Sequence, residues 1–574
     1  MVISSWSMRF PLVLFAAFVG YFTYLGFAPY YNSLALFVSL FFYIFFLQIK
    51  ASKKRGSYLI PYVWDVAFSY ATLSWLNQAL NYFGDLPTGM SQVVVLAISL
   101  GLGVRSLILA ILWNGRGRNF IFLPLLFSGV TYLWYNLVAN FPWLNLAYAN
   151  SNAVGALLAP IGGTYLVQFS QFAFITFIYA LVHKIVLSRQ QPMTMSLRRQ
   201  TIDRQQRIAW RTDFVALFLL AVGYVAAHFY YVQYTSKANT PISVALVQPN
   251  FTSHERNLLE SQPQMVAQYQ NLIGQTLNNQ GQAAPRLWIL PESALMSFYS
   301  LDANPLYANS PYVAPTLGYL ASIYAPLAPL NGDLILGTLG VAMQDDKIRN
   351  YNAALVLTNP ASVAGAVLAP NRIEHLNDQP VLVQSYLKQH LVPFGEYVPF
   401  ASVLKYLPIP GIENIVNSPF STGQKYQANI KTSASQAAVL ICYDALFAEQ
   451  LMRQINSDTN VLINISNDVW FGNDQGPAQH LNVARYRSLE SQRYTLRATN
   501  NGITAIINEQ GQVVNYLPQN QARVLVGQYY NVTGTTPYQE YSRLMNFALA
   551  LIFLFAVGIV RACVALMTSN NRNV

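Results

Sequence analysis

The sequence predicts a multi-pass α-helical membrane domain joined to an extramembrane α/β layered domain. Of the 574 residues, 53% are hydrophobic and only 10% are charged, whereas a soluble globular protein carries roughly 25% charged residues. The long apolar runs cluster at the two ends of the chain. Between them, short apolar runs typical of strands alternate with helical patterns, which favours an α/β domain.

The terminal apolar runs are long enough to cross a bilayer, since a hydrocarbon core needs ~20 mostly apolar residues per helix. The predicted spans cover residues 9–28, 31–49, 58–80, 91–113, 119–139, 162–187, 212–233 and 544–567. The first lacks a clear small-x-small cleavage site, so we expect a retained helix. We expect a membrane domain over residues 1–235, an extramembrane domain over 236–540, and a last transmembrane helix with its tail over 541–574.

Loop charges predict the orientation, because loops rich in Lys and Arg stay on the cytoplasmic side of a membrane. Basic residues lie in alternate loops: Lys50, Lys53, Lys54 and Arg55, then Arg116 and Arg118, then a run from Lys184 to Arg211. We therefore expect both termini in the cytoplasm and residues ~235–540 on the outer face. The net charge of +11 then reflects loops beside anionic lipid, and not a nucleic-acid-binding surface.

The central region contains near-continuous apolar runs that predict strands covered on both faces. They lie at residues 243–247, 287–290, 334–337, 353–357, 437–441 and 461–465. Helical patterns are predicted over Glu255–Leu277, Ala445–Ile455 and Gln479–Arg497. Two stretches rich in Pro and aromatic residues, Ser297–Leu330 and Tyr397–Phe420, are predicted as long loops. They either dip into the membrane interface, cover an acyl pocket, or simply pack against the domain.

Three segments are each predicted to end a strand with a residue of useful chemistry: Glu292, Lys388 and Cys442. A thiol nucleophile needs a base, and an anionic tetrahedral intermediate needs a fixed cation or N–H donors. At a strand-to-helix turn, the positive end of the helix dipole is expected to favour the thiolate of Cys442. The other cysteine, Cys563, lies in the C-terminal apolar run, so no disulfide partner is evident. The alternative is that Cys442 is a small buried apolar residue without chemistry.

Several segments resemble the nitrilase, or carbon–nitrogen hydrolase, superfamily with its Glu-Lys-Cys triad, and within it the membrane branch of apolipoprotein N-acyltransferases. They are residues 388–399 (KQHLVPFGEYVP), 441–444 (ICYD), 464–479 (NISNDVWFGNDQGPAQ), 497–504 (RATNNGIT) and 141–144 (FPWL). The resemblance implies that the extramembrane domain is a nitrilase-like αββα sandwich. It also implies a multi-pass protein of the bacterial inner membrane, with the catalytic domain on the periplasmic side.

The resemblance further implies a two-step acyl transfer. Cys442 would take an acyl chain from a phospholipid, typically phosphatidylethanolamine, as a thioester. The N-terminal amine of the diacylglyceryl-cysteine of an apolipoprotein would then accept it, in the final step of lipoprotein maturation. No cofactor and no metal are implied, and a monomer is expected.

The resemblance assigns a role to each member of the triad. Glu292 is expected to act as general base and acid, Lys388 to stabilise the oxyanion, and Cys442 to be the nucleophile. Supporting roles fall on Glu396, Tyr443, Asp444, Trp470 and Phe471. Asp444 stands where the family usually has Glu, so its reach toward a substrate amine is one methylene shorter. No chemistry is assigned to the segment from Asn464 to Asp468.

Two other functions remain open at this point. A membrane-anchored amidase or nitrilase would use the same three residues to hydrolyse a small carbon–nitrogen substrate. A non-catalytic lipid- or protein-binding module would not need them together. In addition, Asp65 and Arg105 are ionisable residues inside predicted spans, which makes them candidates for function, although the sequence names no partner for either.

Overall fold

The chain divides into two compact units, Met1–Val232 with Tyr541–Val574, and Gln233–Glu540. The computed structural model describes residues 6–51, 57–83, 86–113, 120, 122–150, 155–188, 214–226, 232–252, 259–280, 284–363, 371–393, 395–397, 420–545 and 548. Most of the basic loop residues used for orientation, nearly all of the predicted loop Tyr397–Phe420, most of the last predicted span and Cys563 lie outside these residues.

The first unit is helical throughout its described part. Its α-helices are α1 (Trp6–Tyr21), α2 (Ser33–Ala51), α3 (Leu59–Thr72), α4 (Leu76–Phe83), α5 (Thr88–Leu112), α6 (Phe122–Leu133), α7 (Ala159–Ser188) and α8 (Phe214–Ala226). Helix α7 is broken near its start by non-helical backbone at Gly162 and Gly163. Within the described residues, the helices Thr88–Leu112 and Ala156–His183 are long and apolar enough to cross a membrane, and four shorter apolar helices accompany them.

One predicted span is wrong in detail. Residues 58–80 were expected to form a single helix, but α3 ends at Thr72 and α4 begins at Leu76. The backbone N–H of Leu73 still bonds to the Ser69 carbonyl, and that of Leu76 bonds to the Leu73 carbonyl, so a tight turn replaces the α-helical hydrogen bonds. The intervening residues Leu73–Trp75 contain neither Gly nor Pro, and therefore the sequence pattern carries no sign of the break.

The two ionisable residues of the predicted spans are partners of each other. Arg105 on α5 donates from Nε and Nη2 to the two carboxylate oxygens of Asp65 on α3, at 3.0 and 2.8 Å. Ser106 also donates to Asp65, at 2.6 Å, and Tyr43 on α2 exchanges a hydrogen bond with Ser106. Both charged side chains are almost completely buried. Because the pair is bidentate and hydrogen-bonded, the two charges are compensated inside an apolar helical unit.

The second unit contains two β-sheets. Within its described residues, eight strands form the first sheet, in the order β14-β1-β2-β4-β5-β7-β6 with β3 beside β4. These strands are β1 (Thr235–Gln248), β2 (Leu287–Ile289), β3 (Phe298–Ser300), β4 (Asp333–Gln344), β5 (Lys347–Thr358), β6 (Asn371–Leu376), β7 (Gln379–Leu387) and β14 (Arg523–Gly534). Strand β2 runs parallel to β1 and β4, while the β4–β5 and β5–β7 pairs are antiparallel.

The second sheet has the order β13-β12-β11-β10-β9-β8 among the described residues. Its strands are β8 (Ile430–Lys431), β9 (Gln436–Ile441), β10 (Val461–Ser466), β11 (Tyr494–Thr499), β12 (Thr504–Ile507) and β13 (Val513–Leu517). The helices of this unit are α9 (Gln262–Gln280), α10 (Pro305–Ala308), α11 (Thr316–Tyr324), α12 (Ala448–Gln454) and α13 (Gly476–Ser491).

Alternating side chains of the strands build a four-layered α/β fold. On β1, Val244 and Leu246 join a core with Val439 and Ile463 of the second sheet, so the two sheets pack face to face. Ala245 and Val247 point the other way, into a core with residues of α9 and α11. On the far side, Ala484 of α13 packs on β12. The predicted αββα sandwich is confirmed.

Two predicted elements of this unit need correction. Ser297–Leu330 is not a loop throughout, because it contains β3, α10 and α11. These elements have only three, four and nine residues, too short for a clear periodic pattern among the Pro and Tyr residues. The helix predicted over Gln479–Arg497 is α13, which begins at Gly476 and ends at Ser491. Gln492, at φ 49°, ends it in the left-handed conformation, and the chain then enters β11. A residue other than Gly in that position gives no sequence sign of a helix end.

Candidate active site

The fold brings Glu292 and Lys388 to the same edge of the first sheet. Glu292 follows β2 after two residues, and Lys388 directly follows β7. Strand β2 is parallel to β4, and β7 is related to β4 by two antiparallel pairings through β5, so β2 and β7 run in the same direction. Cys442 directly follows β9 of the second sheet. The three predicted residues therefore all stand at carboxyl ends of strands, on the two sheets that pack together.

A buried ammonium group lies at the centre of the site. Lys388 Nζ is 3.0 Å from Oε1 of Glu292 and 2.9 Å from Oε1 of Glu396. Asn352 Nδ2, from β5, donates to both carboxylates at 2.8 Å. Burial by itself would lower the pKa of Lys388, but the negative charges of Glu292 and Glu396 hold that pKa well above its ordinary value. Lys388 is therefore a permanent cation, although its side chain is only 1% exposed.

The Glu292 carboxylate is oriented from both sheets. Its Oε1 binds Lys388 and Asn352, while its Oε2 accepts a hydrogen bond of 2.8 Å from the backbone N–H of Asn467, which follows β10. Gly337 of β4 lies behind the Glu292 backbone, where an added Cβ would be 2.5 Å from the Glu292 Cα. Ser293, the next residue, has a φ of 51°. The carboxylate is thus fixed by partners on both of its oxygens and by close backbone packing.

Cys442 is buried at a sharp turn directly after β9. Its φ of 49° is in the left-handed region, which a residue with a side chain adopts only at a cost of about 1–3 kcal/mol. A 3₁₀ turn, Cys442–Leu446, follows the strand, and α12 begins only at Ala448. The charges of Glu292 and Lys388 both act on the pKa of the thiol, so Cys442 lies within electrostatic reach of both side chains.

The expectation of a resting thiolate is wrong. Burial raises the pKa of Cys442 far above its ordinary value, the negative charge of Glu292 raises it further, and Lys388 opposes both only in part. The helix dipole that was expected to lower it is displaced from Cys442, because a five-residue 3₁₀ turn separates the thiol from α12. The raised pKa favours a neutral thiol at rest, and a thiol in that form needs a base to remove its proton before it can attack.

The predicted supporting residues lie around this cluster in different ways. Glu396 bonds to Lys388 and accepts from the backbone N–H of Val392 at 2.8 Å, which closes the turn after β7. Tyr443 is buried, with its ring 5.2 Å from that of Phe447. Trp470 is partly exposed, whereas Phe471 is buried, with its ring centroid 5.5 Å from that of His480 and the two ring planes at 72°.

Asp444 is completely buried, and its carboxylate faces the backbone. It accepts from the N–H groups of Gln389 and His390, at 3.3 and 2.8 Å, and from that of Ile441 at 3.3 Å. These donors follow Lys388 and precede Cys442. In this arrangement the shorter Asp side chain ties the lysine segment to the cysteine turn.

Several residues of the site were not found from the sequence. Asn352 and Asn467 bond directly to Glu292. Asp468, His480 and Arg497 form a second buried group behind Cys442. The segments that carry Asn467, Asp468 and Arg497 were part of the family resemblance, which was the available sign, whereas Asn352 and His480 lie outside those segments. All five act through contacts between elements that are distant in sequence. Among the residues that the structure describes, no group of three or more His, Cys, Asp or Glu side chains could hold a metal ion.

Comparison with known proteins identifies the class to which this fold and cluster belong. Residues 243–538, more than half of the chain, match the carbon–nitrogen hydrolase family. The chain belongs to that family. Residues 19–177 in turn match the apolipoprotein N-acyltransferase N-terminal domain, and the predicted resemblance to that membrane branch is confirmed.

Two relatives named apolipoprotein N-acyltransferase align with this chain over nearly their whole length. The apolipoprotein N-acyltransferase of Pasteurella multocida is 28% identical over 550 residues, which cover 95% of this chain and 94% of the relative. That of Vibrio cholerae is 28% identical over 93% of this chain and 94% of the relative. Among solved structures, Saccharomyces cerevisiae Nit3, a member of branch 10 of the nitrilase superfamily, aligns with 55% of this chain and 96% of its own, at 18% identity and a TM-score of 0.34.

Proposed function

We propose that this protein transfers an acyl chain from a phospholipid, through a Cys442 thioester, to the N-terminal amine of the diacylglyceryl-cysteine of apolipoproteins. The observation that carries the proposal is the buried cluster itself. It combines a neutral thiol, a carboxylate oriented by Asn352 and Asn467, and a permanent ammonium group within 3.0 Å of that carboxylate. These are the parts that a two-step acyl transfer requires.

In the first half-reaction, the sulfur of Cys442 attacks the ester carbonyl of the phospholipid while Glu292 takes the thiol proton. The resulting oxyanion gains the field of the Lys388 ammonium, which is fixed before the reaction begins. Collapse of the tetrahedral intermediate breaks the ester C–O bond. Glu292 returns its proton to the departing glycerol oxygen, so that lysophospholipid leaves and the acyl chain stays on Cys442 as a thioester.

In the second half-reaction, the amine of the diacylglyceryl-cysteine attacks the thioester carbonyl. Glu292 accepts a proton from the attacking nitrogen, and Lys388 again stabilises the oxyanion. Collapse breaks the C–S bond, Glu292 protonates the sulfur, and an amide is formed. The thioester is the reason for a cysteine nucleophile, since it stores the acyl group in a form that an amine can still attack.

The membrane setting belongs to the same proposal. A lipid acyl donor and a lipid-modified acceptor both reside in a bilayer, and the apolar helices of the first unit suit an anchor in the bacterial inner membrane. We assign residues 1–235 and 541–574 to a multi-pass membrane domain with cytoplasmic termini, and residues 236–540 to a periplasmic catalytic domain of a monomer. Phosphatidylethanolamine is the proposed donor, and Glu396, Tyr443, Asp444, Trp470 and Phe471 are proposed to support the site.

The test is the intact mass of the purified full-length protein after incubation with phosphatidylethanolamine. We expect a gain of one fatty-acyl group on Cys442, absent from Cys442→Ala, which disappears when a diacylglyceryl peptide is added. An adduct formed from a small soluble amide but never from phospholipid would contradict the proposal and favour the membrane-anchored amidase. Full function in Cys442→Ser would instead favour a non-catalytic binding module.

A further inference from the structure

The backbone of Cys442 has an unusual conformation and is contacted by the side chain of His480. Its φ of 49° is one that L-residues rarely adopt, so the surroundings must hold it. His480, in the second turn of α13, places Nε2 at 3.2 Å from the carbonyl oxygen of Cys442. Because a carbonyl oxygen only accepts hydrogen bonds, Nε2 carries the hydrogen and donates it. The peptide between Cys442 and Tyr443 is thereby tied to α13.

The His480 ring is itself held in place on its other side. Nδ1 lies 3.0 Å from Oδ1 of Asp468, and Oδ2 of Asp468 accepts from Arg497 Nη2 at 2.7 Å. Burial works against ionisation of Asp468, but Arg497, His480 and the hydrogen bond from Ser466 together outweigh it and hold the pKa of this carboxyl below its ordinary range. Gly502 leaves the space for the carboxylate, since an added Cβ there would be 2.2 Å from Oδ2. The imidazole, 1% exposed, therefore has little freedom to turn.

Holding this carbonyl has a consequence for the reaction. In a trans peptide the C=O and N–H groups lie in one plane and point in opposite directions. When His480 fixes the Cys442 carbonyl, the N–H of Tyr443 is directed to the opposite side of the peptide. A hydrogen bond to the carbonyl also polarises the peptide and strengthens its N–H as a donor. In other enzymes with a nucleophile at a sharp strand-to-helix turn, the N–H after the nucleophile binds the oxyanion.

We propose that His480 is a positioning residue, which holds the Cys442–Tyr443 peptide so that the Tyr443 N–H joins Lys388 in binding the oxyanion. Asp468 and Arg497 fix the imidazole for this purpose. The inference rests on the proposed acyl transfer at Cys442, because an oxyanion forms only when a carbonyl is attacked. His480 acts through the peptide, and Glu292 and Lys388 keep the roles already proposed.

The experiment compares His480→Leu, which cannot donate, with His480→Gln, whose amide can reach the same carbonyl. The probe is a p-nitrophenyl ester of a fatty acid, given to the purified full-length protein in detergent, and the burst of p-nitrophenol reports acylation of Cys442. A second readout is alkylation of Cys442 by iodoacetamide, a displacement that forms no oxyanion. Ser488→Ala is the matched control, because it removes a buried hydrogen bond to Thr495 from the same helix.

We expect His480→Leu to lower the burst rate about 10- to 100-fold, less than the loss of a whole oxyanion donor, with little change in KM. Alkylation should stay within about threefold of wild type, since that reaction does not use the Tyr443 N–H. His480→Gln should recover most of the burst rate. Ser488→Ala should leave both reactions unchanged, and its melting temperature shows how much the loss of one hydrogen bond in α13 destabilises the protein.

Three results would each overturn the inference. They are a burst rate in His480→Leu within about twofold of wild type, a parallel fall of acylation and alkylation, and a folded His480→Gln no better than His480→Leu. The ester probe also separates this inference from the proposed function. If wild-type protein forms an acyl-enzyme with the ester but not with phospholipid, the phospholipid proposal fails, while the comparison of the His480 variants still decides the role of His480.

Discussion

At the residue scale, the charges around Cys442 determine how it can react. One ammonium, Lys388, lies between two carboxylates, Glu292 and Glu396, so the ionised cluster carries one net negative charge. Such a cluster opposes a thiolate, which agrees with the raised pKa of the thiol. It accommodates an oxyanion only when the thiol proton has moved to Glu292, because protonation of that carboxylate leaves Lys388 with a single negative partner. Proton removal and attack are therefore coupled.

The first prediction concerns the base. Glu292→Gln keeps the size of the side chain but cannot take a proton, and we expect acylation of Cys442 by phosphatidylethanolamine to fall about 10²- to 10⁴-fold. Single-turnover kinetics followed by intact mass measure the rate. Glu396→Gln is the control that removes the other carboxylate at Lys388 and leaves the base, so its loss should be smaller. Equal losses in both variants would show that Glu292 contributes only charge.

The second prediction concerns the shift in the pKa of the Cys442 thiol, whose direction follows from its physical causes. Burial and Glu292 both raise the pKa of Cys442, so at pH 7–9 the wild-type thiol should be protonated and react slowly with iodoacetamide. Removing the Glu292 charge lowers that pKa, and Glu292→Gln should therefore be alkylated faster at pH 8 while it is acylated more slowly. The rate of alkylation, measured as a function of pH for the wild-type protein and for Glu292→Gln, gives the apparent pKa of the thiol in each. A wild-type curve that levels off below pH 7 would contradict the raised pKa.

At the element scale, the backbone of β4 sets the position of the base. Gly337 lies against the segment that carries Glu292, with space for no side chain between them. The turn at Ser293, with its φ of 51°, allows the chain to follow β2 and still bring the carboxylate toward Lys388. The position of Glu292 thus depends on the close packing of its segment against the neighbouring strand β4.

The third prediction follows from that close packing. In Gly337→Ala the new Cβ would lie 2.4 Å from the Ser293 nitrogen, so the Glu292 segment must move. We expect a destabilisation of about 1–3 kcal/mol and a loss of acylation of roughly 10-fold or more, since small displacements of reacting groups are costly. Thermal unfolding and the phosphatidylethanolamine assay measure the two effects.

Gly318→Ala is the control for that variant. Gly318 lies in α11, and an added Cβ there meets nothing within 4 Å. Because Ala is the better helix former, this change should stabilise the protein by up to about 1 kcal/mol and leave acylation unchanged. If Gly337→Ala behaved like Gly318→Ala, the β4 backbone would not be what positions Glu292.

The elements also show how far the sequence predicts the structure. Glu292 and Cys442 could be found because each closely follows a continuous apolar run, which predicts a buried strand, and Lys388 because it opens a segment that resembles the family. Asn352 and Asn467 could not, since they reach Glu292 through contacts between elements far apart in sequence. The thiolate expectation was wrong because the local strand-to-helix pattern says nothing of burial or of Glu292. The ends of α3 and α13 were missed because no Gly or Pro marks them.

At the scale of the whole molecule, the two units bury charge in the same manner. The chain has few charged residues, yet Asp65 and Arg105 are buried in the helical unit, and Asp468 and Arg497 in the α/β unit. In each pair a guanidinium meets a carboxylate directly, and hydroxyl groups satisfy further carboxylate lone pairs. Removing one member of such a pair leaves a buried charge without its partner and is destabilising. Removing both members leaves no such charge and need not destabilise the protein.

The last prediction applies this argument to the helical unit. Arg105→Met leaves the Asp65 carboxylate buried without its cation, and Asp65→Leu leaves the guanidinium, so each should destabilise the protein by about 3–5 kcal/mol. The double variant removes both charges and should recover a substantial part of that loss. Thermal unfolding in detergent, followed by tryptophan fluorescence, suits the measurement because Trp64 is buried beside Tyr43 in the same cluster. If the double variant were no more stable than the less stable of the two single variants, charge compensation would not be the main effect of the pair. The pair would then stabilise the protein chiefly through packing and directed hydrogen bonds between α3 and α5.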